Sequence, residues 1–222
     1  MAMKQPAIAQ IKFCGLMRPE DIDACLTLGV EAIGFVFYPP SARALSIEQA
    51  KRLRAQVGSR SQVVGLFVNA EPQSIAYCAT EVGLDVIQVH GDEGALQCEA
   101  IGRATGLPWW RAVRMQGPED VANAAQNYPQ ASALLLDSHV QGYGGAGKVF
   151  DWRWVPMVRE ERWPPLVLSG GLTPETVGRA ITMTQPWMVD VSSGIQGDSA
   201  ASKDFAKMQR FVAAVRQERV SP

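Results

Sequence analysis

The sequence predicts an α/β fold, a single-domain (β/α)8 barrel of the TIM type over residues 1–222, and three observations carry that expectation. Eight short apolar runs of strand type alternate with eight helix-type stretches, one pair roughly every 22 to 32 residues, which calls for parallel strands joined by helices. No linker, composition shift or low-complexity tract divides the chain. Polar residues and glycines gather where the runs end, the face on which such barrels build active sites. An open doubly wound sheet is the alternative arrangement of the same elements.

Gln10–Gly15 forms the first strand, and Pro19-Glu-Asp opens a helix that turns Ile22, Cys25 and Leu26 inward and stops at Gly29. Ala32–Phe37 is the second strand; the Tyr-Pro-Pro-Ser-Ala-Arg43 loop is too rich in proline to continue it, and Ser46 caps a helix carrying Ala50, Leu53 and Val57. Val63–Val68 is followed by a helix from Pro72 to Val82, and Val86–His90 by one led by Asp92-Glu93 and reaching Thr105. Trp109–Val113 precedes a helix from Pro118 that ends before Pro129. Ala133–Asp137 is the sixth strand, with a helix expected from Asp151 that buries Trp152, Val155 and Val158. Leu166–Gly171 leads to a helix from Thr173 through Ile181. Trp187–Val191 is the eighth strand, and Phe205, Met208, Phe211, Val212 and Val215 form the apolar stripe of the last helix.

Composition narrows the function. With 47% hydrophobic residues the chain can bury a sizeable core, and a net charge of -1 disfavours a nucleic-acid surface. No apolar run reaches the roughly 18 residues of a membrane span, and the Met-Ala-Met-Lys-Gln-Pro start is not a secretory signal. Cys14, Cys25, Cys78 and Cys98 lack the C-x-x-C spacing of a zinc site and lie on different elements. A cytoplasmic protein is expected, with no metal, no cofactor, no nucleic-acid partner and no membrane partner.

The densest signal is Ala133–Lys148, where an apolar run ends in Asp137 and a glycine-rich turn follows. Gly142–Gly147 satisfies G-x-G-x-x-G, but several strands precede it and no acidic strand end follows at the dinucleotide spacing. Gly142–Lys148 nearly forms a P-loop, but Val149 replaces the Ser or Thr that holds magnesium. Gly144, Gly145 and Gly147 remain candidates for a phosphate cradle. Two more candidate turns close the last two strands, Ser169-Gly170-Gly171 and Ser192-Ser193-Gly194, where barrel enzymes bind phosphate. Cys14 ends the first strand with Lys12 on the same face, so a nearby cation is expected to lower the thiol pKa and yield a usable base. Arg43 is a candidate clamp for a carboxylate, and His90 is either a catalyst or a satisfied polar group.

These motifs together resemble phosphoribosylanthranilate isomerase, a barrel enzyme of tryptophan biosynthesis. The likeness runs through Lys12-Phe-Cys-Gly15, Gly34-Phe-Val-Phe-Tyr-Pro39 with Ser41-Ala-Arg43, and Gly65-Leu-Phe-Val-Asn69. It continues in Gln88-Val-His-Gly91, Leu134-Leu-Leu-Asp137, Gly144-Gly-Ala-Gly-Lys148, Phe150-Asp-Trp152, Ser169-Gly-Gly-Leu172 and Asp190-Val-Ser-Ser-Gly194. The resemblance implies an Amadori rearrangement of N-(5-phosphoribosyl)anthranilate to 1-(2-carboxyphenylamino)-1-deoxyribulose 5-phosphate. It places the general base on Cys14, the general acid on a buried Asp137, and the anthranilate carboxylate on Arg43. Asp190 and Ser192 are expected to address sugar hydroxyls or phosphate. The partner implied is a small phosphorylated sugar, for a monomer or a homodimer. Met17 and Ala146 depart from the family's usual Thr and its Thr or Ser, the second removing a hydroxyl donor to phosphate. The rival readings are the histidine-pathway aminoaldose–ketose isomerase, which has an aspartate where Cys14 stands, and a non-catalytic phosphate-binding barrel.

Overall fold

Alternating apolar residues in eight short strands close into a ring in the computed structural model, which describes residues 5–138 and 149–220. The strands are β1 (Gln10–Cys14), β2 (Ala32–Val36), β3 (Gln62–Phe67), β4 (Val86–Val89), β5 (Trp109–Met115), β6 (Ala133–Ser138), β7 (Leu166–Leu168) and β8 (Met188–Val191). They pair in sequence order, all parallel, and β8 returns to β1 with Lys12 opposite Asp190. The helices are α1 (Pro19–Leu28), α2 (Ile47–Val57), α3 (Pro72–Val82), α4 (Ala95–Thr105), α5 (Asp120–Asn127), α6 (Val177–Thr184) and α7 (Phe205–Gln217). No described helix is long and apolar enough to cross a membrane.

The two-residue period of a strand sorts side chains into two cores. Ile11, Phe13, Ile33, Phe35, Leu134, Leu136 and Val189 point outward and pack under the helices. Ala32, Val64, Val86, Trp110, Ala112, Ala133, Leu135, Val167 and Met188 point inward and fill the barrel with Trp187. Trp110 and Trp187, both near strand starts, meet edge to face at 6.0 Å and plug the N-terminal end. Lys12, Cys14, Gln88, His90, Asp137, Ser169 and Asp190 continue the inward positions upward, so the barrel is apolar below and polar at the C-terminal mouth.

Local signals set most boundaries. Ser46 and Gln49 form a reciprocal capping box on α2, Asp204 accepts from Lys207 N at the start of α7, and Gly29 ends α1 in the left-handed conformation. One predicted helix is absent. After β6 the described chain makes only a single 3-10 turn, Trp152–Trp154, and Val158, expected inward, is 90% exposed. Pro156 disfavours helix at Val155 and supplies no N–H, and Pro164-Pro165 closes the segment. Phe205, placed on the buried stripe of the last helix, is 46% exposed at its first position, while Met208, Phe211, Val212 and Val215 are buried as expected. α4 begins at Ala95 rather than Asp92 because the Glu93 carboxylate is taken up by loop N–H groups of Asn69 and Gly91 and by Arg111. The helix expected from Thr173 begins at Val177, after a turn in which Thr173 N donates to Thr176 Oγ1.

The four cysteines are free and buried. Burial pushes the thiols up, to about 11 at Cys98 and about 12 at Cys78, and Cys25 upward too. The folded chain therefore keeps these protons at pH values where the unfolded chain, near 9.0, has released them. Stability from these groups is complete below about pH 9 and declines as pH rises toward 11 and 12. Lys203, lowered to about 8 chiefly by burial, runs the opposite way between about pH 8 and 10.5. The expected result is a Tm that falls above pH 9 and falls less steeply in Cys98→Ala and Cys78→Ala. An identical slope in both variants would remove the thiols as its cause.

Candidate active site

The mouth of the barrel begins at β1. Cys14 is an inward residue paired with Gly34 on β2, where a Cβ would stand 2.8 Å from the Cys14 sulfur; the glycine makes room for the thiol. Gly15 then leaves the strand at φ +70, and a Cβ there would lie 2.4 Å from Arg43 Cδ. Only glycine meets both demands, and its absent side chain lets Arg43 lie across the end of β1. Arg43 Nη2 donates to Gln196 Oε1 at 2.6 Å, and its Nε is buried without a hydrogen-bond partner among the described residues. A guanidinium held at one corner with an unsatisfied edge is suited to a carboxylate.

Behind Cys14 lies a buried ion pair. Lys12 Nζ meets Asp190 Oδ1 at 2.9 Å, and Ser169 Oγ donates to Asp190 Oδ2 at 3.2 Å. Burial disfavours charge on Lys12, but Asp190 and then Cys14 outweigh it and hold its ammonium above the usual value. The thiol behaves differently from the expectation. Burial raises the Cys14 pKa, Lys12 and Lys203 oppose the rise, and Asp190 adds to it; the net direction is upward. One lysine beside the sulfur does not depress the thiol, because desolvation dominates and that lysine already faces a carboxylate. Asp190 has one protein partner on each carboxylate oxygen, Lys12 on Oδ1 and Ser169 on Oδ2, and braces Lys12 in the floor of the mouth.

Across the mouth, Asp137 is the penultimate residue of β6, half-buried rather than buried, with 15% of its side chain exposed. Its Oδ1 accepts from Ser138 N at 2.8 Å, and its Oδ2 lies 3.3 Å from His90 Nε2. Gln88 Nε2 is 2.9 Å from His90 Nδ1. The Nδ1 side of the ring is thus taken up by Gln88, and the Nε2 side faces Asp137. His90 is therefore both a satisfied polar group and a neighbour of the candidate acid.

The two glycine turns after β7 and β8 press against each other. Gly170 (φ +83) and Gly171 (φ +66) take up left-handed backbone, and a Cβ on Gly170 would meet Ser138 Oγ at 2.3 Å. A Cβ on Gly194, in the short turn Ser193–Ile195, would stand 1.9 Å from Leu172 O. Gly170, Gly171, Ser193 and Gly194 are thus brought together at one side of the mouth. Ser192 faces the protein instead: its hydroxyl donates to Cys14 O at 2.9 Å and accepts from Lys203 Nζ at 3.3 Å. Gly144, Gly145 and Gly147 lie outside the described residues.

Three supporting residues, Gln88, Gln196 and Lys203, take no role from the sequence. Gln88 could have been found, since alternation puts it on the same face as His90. Gln196 and Lys203 could not: they form an antiparallel bridge in an irregular segment whose folding back no periodicity announces.

Comparison with known proteins matches this arrangement to one family. A model described as N-(5′-phosphoribosyl)anthranilate (PRA) isomerase covers residues 11–214. The N-(5′-phosphoribosyl)anthranilate isomerase of Ralstonia pickettii (strain 12J) is 45% identical over 217 residues, spanning 94% of this chain and 93% of that protein. The crystal structure of phosphoribosyl anthranilate isomerase from Thermotoga maritima superposes with a TM-score of 0.86 at 37% identity, over 95% of this chain and 100% of that one. A crystal structure of phosphoribosyl anthranilate isomerase with reduced 1-(o-carboxyphenylamino)-1-deoxyribulose 5-phosphate gives a TM-score of 0.81 at 33% identity, over 95% and 100% of the two chains. With a family model over residues 11–214, relatives about 45% identical over most of the chain and a shared barrel fold, the chain belongs to the N-(5′-phosphoribosyl)anthranilate isomerase family and is an enzyme of the isomerase class.

Proposed function

We propose that the site rearranges N-(5-phosphoribosyl)anthranilate to 1-(2-carboxyphenylamino)-1-deoxyribulose 5-phosphate, with Cys14 as general base and Asp137 as general acid. The observation that carries this reading is their placement: both point inward at strand ends, and β1 and β6 stand three steps apart around an eight-strand ring. A sugar between them presents one face to each. Asp137 gives a proton to the ring oxygen as the C1′–O bond opens, and the amine lone pair forms the C1′–N iminium. Cys14 then takes the proton from C2′, and the C2′–H electrons form the C1′–C2′ double bond of the enolamine. Ketonisation moves a proton to C1′ and completes the aminoketose. Electrons balance without an external oxidant or reductant.

The ends of such a substrate have matching places. The partly unsatisfied Arg43 suits the anthranilate carboxylate, and the paired turns at Gly170-Gly171 and Ser193-Gly194 suit the phosphate through backbone N–H groups. Anchors at both ends hold the reacting carbons between acid and base, which is where a large share of such a rate enhancement arises. His90, 3.3 Å from Asp137 Oδ2 through its Nε2 and steadied by Gln88, orients the acid.

Purified protein mixed with freshly made phosphoribosylanthranilate, with EDTA and no added cofactor, is expected to remove the anthranilate-type fluorescence far faster than spontaneous hydrolysis. The product should be the deoxyribulose phosphate rather than free anthranilate. No acceleration would overturn the proposed substrate and send the assay to the histidine-pathway aminoaldose.

A further inference from the structure

Lys203 is a buried cation without a carboxylate partner. It is 6% exposed, sits in the segment that folds back before α7, and belongs to no ion pair among the described residues. Among the described residues its Nζ donates only to neutral oxygens, Ser192 O at 3.0 Å and Ser192 Oγ at 3.3 Å. An ammonium so placed is costly unless an anion forms nearby.

The surrounding charges show which anion is missing. On β1 and β8, Lys12 and Asp190 neutralise each other. On α1, Asp21 is paired with Arg18 and touches Lys203 only through the backbone N–H. Arg43, in the loop after β2, is a second cation that adds to the unfavourable surroundings of Lys203. Only Cys14 remains, one link away, because the Ser192 hydroxyl that accepts from Lys203 donates to Cys14 O at 2.9 Å. Each of the two groups favours the charged form of the other.

We propose that Lys203 is a positioning residue for Cys14: its ammonium supplies the uncompensated positive charge that a Cys14 thiolate needs beside the Asp190 carboxylate, and Ser192 ties that charge to the end of β1. Lys12 alone does not suffice, since its charge is already shared with Asp190. The inference rests on the proposed role of Cys14 as base, and it adds a second cation, 189 residues away in sequence, to the cysteine's electrostatics.

The test is a pH titration of thiolate absorbance in the full-length protein, read as the difference from Cys14→Ser, in Lys203→Met and Lys203→Arg. The other three thiols are raised by burial and stay silent through neutral pH. Below about pH 8, where Lys203 carries its charge, Lys203→Met should hold about tenfold less Cys14 thiolate than the wild type, so the low-pH limb of the titration is lost. kcat/KM should fall in parallel near neutral pH and recover as pH rises, and Lys203→Arg should restore both. Replacing an unpaired buried cation with an apolar side chain of similar length should leave the Tm equal or higher, so loss of fold is not the expected confounder. A folded Lys203→Met whose Cys14 titration is unchanged overturns the proposal, as does a raised KM with an unmoved titration, which would assign Lys203 to the substrate instead. If Lys203→Arg folds but titrates like Lys203→Met, charge is not what the residue supplies, and the proposal also fails. Failure of the base reading looks different: Cys14→Ser would keep turnover although the titration shift is present.

Discussion

Cys14→Ser and Asp137→Asn each lower kcat by about 10²–10⁴-fold, the usual worth of a general base or acid. KM changes little, because the groups proposed to hold the substrate, Arg43 at one end and the turns at Gly170 and Gly194 at the other, are untouched. Both variants should fold. Serine is smaller than cysteine in a place already cleared by Gly34, and asparagine keeps an oxygen that can accept from Ser138 N. The double variant should be little worse than either single one, since acid and base serve one reaction and their losses do not add. Steady-state kinetics with the fluorescent substrate give the comparison. Wild-type kcat in Cys14→Ser would put the base elsewhere, and wild-type kcat in Asp137→Asn would do the same for the acid.

The contrast between what the chain announces and what it conceals follows from range. Strand order, inward and outward faces and the polar mouth are written in two-residue alternation, so Lys12, Cys14, His90, Asp137 and Asp190 could be placed on one surface before any coordinates. The segment after β6 misled because Trp152 and Val155 have helical spacing, and Pro156 overrides it. Electrostatics were the least legible. That Lys12 stands by Cys14 was plain from alternation; that burial outweighs it, and that Asp190 claims its charge, depends on the β1–β8 closure between residues 178 apart. Lys203 lies in a polar stretch without periodicity, and becomes a buried cation only when its segment folds back on Gln196. Local pattern gives the surface a residue faces. Which charges it meets there is set by contacts distant in sequence.

The Lys12–Asp190 pair gives the second large effect. Asp190→Asn leaves the Lys12 ammonium buried with no carboxylate beside it and should destabilise the fold by about 3–5 kcal/mol, read by denaturant unfolding. Lys12→Met combined with Asp190→Leu should recover most of that loss, because two apolar side chains of similar size avoid the desolvation of both charges. The double variant should nonetheless be nearly inactive, since the ammonium that favours the charged sulfur of Cys14 is gone. Stability regained without activity would mean that the ion pair is kept for the chemistry at the mouth, at no benefit to folding. Activity regained with stability would show that Cys14 needs no charge from Lys12. A double variant as unstable as Asp190→Asn would show instead that the pair, with Ser169 donating to its carboxylate, holds β1, β7 and β8 together through hydrogen bonds that apolar packing cannot replace.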